Sequence, residues 1–152
     1  MRDVVVDCDV VAHTMNEGAG EPYRAATRFI SALVESTTQI CLDEAGFILS
    51  EYSERGLTTS HHDLVQQFIK HLVRPGLQCV IAEDCLTAAQ RQAIGHLPID
   101  QHDKRYVRIT ACAVERWLVS NDGTYDGNAD AVRDAAGVDV EHSREATVRL
   151  IN

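Results

Sequence analysis

The chain has 152 residues, 45% of them hydrophobic and 24% charged, which suits one globular core and excludes a disordered or fibrous chain. A net charge of −9 excludes a surface that grips nucleic acid over its whole extent, because phosphate binding depends on cationic contacts. The N-terminus lacks the basic start and long apolar core of a leader, and no apolar run approaches the ~20 residues that span a bilayer. A soluble cytoplasmic protein with no membrane partner is expected.

Residues 1–152 read as one domain. Val4 to Val6 form the first expected strand, in the stretch VVVDCDVV, where Asp7 and Asp9 follow the valines. Burying an ionised carboxylate unpaired is costly, so Asp7 either turns into solvent or helps hold a cation. After Gly18 and Gly20, Pro22 suits the first turn of a helix in which Ala26, Phe29, Ile30, Leu33 and Val34 recur at helical spacing. TQICLD is a second strand, followed by a helix from about Asp43 to Arg55 that Gly56 stops. Ser60 is the expected cap of a third helix, with an apolar stripe of Leu64, Val65, Phe68, Ile69, Leu72 and Val73.

LQCVIA is the third strand, and a short helix from about Leu86 to Ile94 precedes the loop GHLPIDQHD. Asp103 is the expected cap of a helix through Glu115 that leads into the strand WLVS. NDGTYDGN is a turn cluster, Ala129 to Ala136 a helix stopped by Gly137, VDVE the last strand, and Ser143 opens a C-terminal helix. The alternation predicts the α/β class, a three-layer α/β/α sandwich with a central, mainly parallel sheet. Cys8, Cys41, Cys79, Cys85 and Cys112 are odd in number, lack CxxC spacing and mostly lie in apolar stretches. They are expected to be small core residues rather than zinc ligands or disulfide partners.

In such a sheet, ligands gather beyond the carboxyl ends of the strands. Asp7 closes the first strand, and Asp122 lies just past WLVS. Asp103 stands at the start of the helix that feeds that same strand. Glu51, three residues after Ile48 and four after Phe47, borders its helix's apolar stripe and leans back toward the same edge. Each acid alone has a commonplace reading: strand end, turn, helix cap, solvated helix face. Their joint placement points to a bound cation, because two unit charges ~4 Å apart repel by roughly 4 kcal/mol at an effective dielectric of about 20. Hard oxygen ligands suit Mg²⁺ or Mn²⁺, and no zinc-type spacing competes.

The order VVVDCDVV, ILSEYSERG, HDKRYVRITACAVERWLVSNDGTYD and AGVDVEHSREA resembles a PIN domain, a family of Mg²⁺- or Mn²⁺-dependent nucleases, from Val4 to about Val148. The resemblance implies a metal-dependent endoribonuclease that hydrolyses phosphodiester bonds of single-stranded RNA. It places the family's four catalytic and metal-binding acids on Asp7, Glu51, Asp103 and Asp122. Small PIN proteins often act as toxins held inactive by an antitoxin, so an antitoxin protein and a second copy of the chain are the protein partners this reading allows. Two rivals are a DNA-directed or defence-associated PIN nuclease and a non-catalytic PIN-fold interaction domain.

The chain also departs from the family pattern. Thr or Ser and then Asn often follow the family's first aspartate, where Cys8 and Asp9 stand here, so Asp9 either serves as an outer acid of the metal site or only caps the turn. Gly123, Thr124 and Tyr125 separate Asp122 from Asp126, a second outer acid, while Asp100 reads as a solvated loop carboxylate. Arg24 and Arg28, four apart on one helix, and Lys104, Arg105 and Arg108 are the local cations expected to reach phosphates. His102, beside Asp103, would at most assist a proton transfer. GxSxG, GxGxxG and P-loop patterns are absent, which argues against a serine hydrolase or a nucleotide-cofactor enzyme.

Overall fold

Val4, Val5 and Val6 are fully buried because strands flank theirs on both sides and helices cover both faces of the sheet. The computed structural model describes residues 2–152. Its strands are β1 (Asp3–Val6), β2 (Gln39–Asp43), β3 (Gln78–Ile81), β4 (Trp117–Val119) and β5 (Asp139–Glu141). They form one sheet in the order β3-β2-β1-β4-β5, and every pairing is parallel. Val4 pairs with Ile40, Val5 with Leu118, Cys41 with Cys79 and Leu118 with Val140.

Parallel strands need crossovers, and helices supply them as two covering layers. On one side α2 (Glu21–Glu35) packs with α1 (Cys8–His13), α4 (Asp63–Leu72) and α8 (Ser143–Ile151). On the other, α5 (Ala88–Gly95), α6 (Gln101–Ala111) and α7 (Ala129–Ala136) pack together. The fold is thus a three-layer α/β/α sandwich, with a sheet that is wholly rather than mainly parallel. No helix among the described residues is long and apolar enough to cross a membrane.

Between β2 and α4, α3 (Phe47–Glu54) touches both layers. Tyr52 meets Phe68 of α4 edge-on at 5.5 Å, and Phe47 meets Tyr106 of α6 at 5.3 Å. The Tyr52 hydroxyl, wholly buried, donates to the Val6 carbonyl at 2.6 Å and ties α3 to the end of β1.

Several helix boundaries differ from the sequence expectation, and at α3, α5 and α6 a side-chain cap sets the observed start. The helix expected from Asp43 begins at Phe47, because Asp43 stays at the end of β2 and its carboxylate accepts from Phe47 N (2.9 Å) and Ile48 N (2.8 Å). Ser60 does not cap α4. His62 is the residue before it, and Ser60 Oγ accepts from His62 N in the preceding turn. Thr87 caps α5 reciprocally with Gln90, so that helix starts at Ala88. Asp100, not Asp103, caps α6, which ends at Ala111 rather than Glu115. The six-residue α1 directly after Asp7 has no counterpart in the expected elements.

The cysteine expectation is corrected as well. Cys8 and Cys41 are buried as expected, but Cys85 and Cys112 form a disulfide with Cα atoms 5.7 Å apart. They stand 27 positions apart in the sequence, and the packing of α5 on α6 closes the gap.

Candidate metal centre

The crossovers leave β1 in opposite directions. β2 and β3 lie on one side of it, β4 and β5 on the other, so the strand order reverses between β1 and β4. Helices that approach a reversal from opposite faces leave a crevice beyond the carboxyl ends of those two strands, the usual ligand position in open parallel sheets. Asp7 follows β1 there, and its backbone N–H donates to the Val119 carbonyl at the end of β4 (2.9 Å). Asp122 lies three residues past Val119, and Asp103 sits in the first turn of α6.

Three carboxylates converge in this crevice. One oxygen from each of Asp7, Asp103 and Asp122 lies within 4.8 Å of the other two, with Asp7 and Asp103 buried and Asp122 exposed. Ser120 Oγ donates to Asp7 Oδ2 at 2.8 Å and accepts from Asp122 N at 3.1 Å, so one hydroxyl sets two of the three acids. Asp122 Oδ1 accepts from Thr124 N at 3.0 Å. Because Asp100 already caps α6, the Asp103 carboxylate is released from that duty, and its Oδ2 is buried with no hydrogen-bond partner. Asp9 Oδ1 is buried and unpartnered in the same way.

The electrostatics follow from that geometry. Burial, then the charge of Asp100 and of Asp122, pushes the Asp103 carboxyl up to about 7. Burial, then the neighbouring Asp7, pushes Asp9 up to about 8. Burial likewise raises Asp7, with the Ser120 hydrogen bond opposing and Asp122 adding to the rise. Cys8, raised to about 12 by burial and Asp7, remains a thiol on the crevice wall.

The cleft holds about 230 Å³ and is lined by Asp7, Asp9, Glu51, Asp103 and Asp122 together with Arg55 and His102. All four acids singled out in the sequence therefore share one cleft, although Glu51 stands apart from the tight trio. Its Oε1 pairs with Nδ1 of the exposed His102, which raises the imidazole above its ordinary value. Asp100 also lines the cleft, whereas Asp126 does not.

The expected phosphate-contacting arginines lie elsewhere. Arg24 pairs with Glu21, and Arg28 lines a separate groove with Arg144. Arg105 pairs with Glu83 and stacks on the Phe47 ring at 4.7 Å. The cation that does line the cleft is Arg55, the residue that ends α3, with Nη1 4.0 Å from Cys8 Sγ. Nothing in the sequence distinguishes it from the other arginines. Ser120 was equally inconspicuous, marked only by its place at the end of a buried strand.

No protein-family model, curated protein or solved structure matches the chain. The site's chemistry must therefore be read from its own residues. An all-oxygen trio with one buried, unsatisfied carboxylate oxygen on Asp103, and a second on Asp9 in the same cleft, fits a hard divalent cation.

Proposed function

We propose that the chain is a PIN-type nuclease that hydrolyses phosphodiester bonds of single-stranded RNA with Mg²⁺ or Mn²⁺. The observation that carries this reading is the Asp7–Asp103–Asp122 trio at the strand-order reversal, with Asp103 Oδ2 buried and unpartnered. Asp7, Asp103 and Asp122 would hold the ion, with Asp9 and Glu51 at its margin. Bound there, the cation would supply charge neutralisation and Lewis acidity to a phosphoryl centre.

The chain's own residues do the remaining work. Ser120 fixes the direction of the Asp7 carboxylate. Arg55 supplies a positive charge on the wall of an otherwise acidic cleft and draws a phosphate toward it. The Glu51–His102 pair keeps an exchangeable proton at the cleft mouth, where a leaving oxygen would need one. At about 230 Å³ the cleft falls below the ~300–1,000 Å³ usual for sites that enclose a small ligand. That size suits one phosphodiester of a strand lying across the edge. By the resemblance noted above, an antitoxin protein is the partner that would hold this activity in check.

The test is a time course on RNA and DNA oligonucleotides with Mg²⁺ or Mn²⁺, using the wild type and Asp103→Asn side by side. RNA cleavage that EDTA stops and Asp103→Asn lacks is the expected result. Cleavage of DNA alone would identify a DNA-directed nuclease. Equal cleavage by both proteins would place the activity outside this site, and no cleavage with no metal uptake would leave a non-catalytic interaction domain.

A further inference from the structure

Cys41 and Cys79 face each other in register on adjacent parallel strands, β2 and β3, with their sulfurs 3.0 Å apart. We propose that they form a reversible dithiol–disulfide site, oxidised by exchange with a low-molecular-weight disulfide. Nothing in the proposed nuclease chemistry requires this site, which lies on the far side of β2 from the β1–β4 crevice.

The geometry favours a sulfur–sulfur bond over a shared metal. Two thiolates on one tetrahedral zinc, each at ~2.3 Å, stand about 3.8 Å apart, well beyond the spacing seen here. The third polar group nearby, the Asp3 carboxylate, is already engaged. Its two oxygens accept from Val114 N (2.9 Å) and Glu115 N (2.7 Å) and hold the loop between α6 and β4.

Access is one-sided. Cys41 is fully buried, whereas Cys79 is half-buried on the outermost strand, beside a Val80 that is 65% exposed. The hydrogen bond from Cys41 also lowers the Cys79 thiol below its ordinary value, which makes Cys79 the attacking sulfur. Its thiolate attacks one sulfur of the disulfide RSSR, forms a mixed disulfide and expels RS⁻. The departing RS⁻ takes the proton of the buried Cys41, whose sulfur then attacks Cys79 Sγ and expels the second RS⁻, which is protonated by solvent. The two cysteines are oxidised to one disulfide, and RSSR is reduced to two RSH. The product joins β3 covalently to β2.

The full chain is reduced natively with dithiothreitol, exchanged into glutathione disulfide, unfolded with an alkylating agent present, and cut by a glutamate-specific protease without reductant. Cleavage after Glu35, Glu44, Glu54 and Glu83 leaves Cys41 in fragment 36–44 and Cys79 in fragment 55–83, while Cys85 and Cys112 stay together in 84–115. The expected product is 36–44 joined to 55–83, two hydrogens lighter than their sum, with Cys8 alkylated. The joined product should be absent from Cys79→Ser. Alkylation of both Cys41 and Cys79, a glutathione adduct that persists on Cys79, or zinc that co-purifies and is lost in Cys79→Ser would overturn the proposal. The wild-type map decides the matter even if the variant folds poorly.

Discussion

Ser120 Oγ donates to Asp7 Oδ2 at 2.8 Å across the seam between β4 and β1, and the same hydroxyl accepts from Asp122 N. A hydroxyl in that position orients a carboxylate without competing for the cation. Ser120→Ala is expected to weaken Mn²⁺ binding about 10–100-fold, the usual effect of removing a group that positions a metal ligand. Calorimetric titration with Mn²⁺ on wild type and variant measures this. Unchanged affinity would mean that Asp7 needs no such support.

Mn²⁺ at about 100 times its Kd should stabilise the protein by roughly 2.7 kcal/mol, because it binds the folded state alone. Asp7→Asn should abolish that gain. Thermal melts with Mn²⁺ or with EDTA report it directly, and a wild-type melt indifferent to Mn²⁺ would count against the metal centre.

The raised carboxyls also set a pH dependence. Asp103, at about 7, and Asp9, at about 8, bind protons in the folded chain that they release when unfolded across the intervening range. Stability from these groups is therefore complete below the ordinary carboxylate range and is lost as pH rises through 7 to 8. In EDTA, the wild-type Tm should fall between pH 5 and pH 9 more steeply than that of Asp103→Asn. Metal reverses the balance, since bound carboxylates must be deprotonated, and Mn²⁺ should stabilise more at pH 8 than at pH 6. Parallel pH slopes for both proteins in EDTA would show that Asp103 is not the titrating group.

The Asp43 cap predicts a loss of stability in the helix that carries Glu51. Its buried carboxylate satisfies two otherwise free N–H groups at the start of α3, so Asp43→Ala should cost about 1–2 kcal/mol in urea unfolding. Asp43→Asn, which keeps an acceptor, should cost less.

Cys85→Ser with Cys112→Ser opens a loop that spans 27 residues. A chain-entropy treatment puts the expected loss at about 3–4 kcal/mol, read from the shift in urea midpoint against the wild type under non-reducing conditions. A midpoint unchanged by the double substitution would show that packing alone holds α5 on α6.

The strands and their order along the chain were legible because buried parallel strands read as short apolar runs between turn residues, as Val4 to Val6 and WLVS do. Asp7 and Asp122 were legible for the same reason, as the first acids beyond those runs. What escaped depends on groups distant in sequence or on very short elements. The helix start at Phe47 is set by the Asp43 carboxylate four residues upstream, Asp100 and Asp103 offer competing starts for the helix at Gln101, and a six-residue helix such as α1 shows less than two turns of periodicity. Arg55 and the Cys85–Cys112 pair gain meaning only from tertiary proximity, which no local pattern encodes.

The position of β4 between β1 and β5 orders the birth of the molecule. β1, β2 and β3 can pair once residue 81 has left the ribosome, yet Asp7 waits for partners at positions 103 and 122. Until Asp103 and Asp122 emerge and β4 takes its place beside β1, the growing chain carries only one of the three carboxylates that converge. Under the proposed function, a product truncated before residue 103 therefore offers a cation one carboxylate of the three and no crevice to hold it.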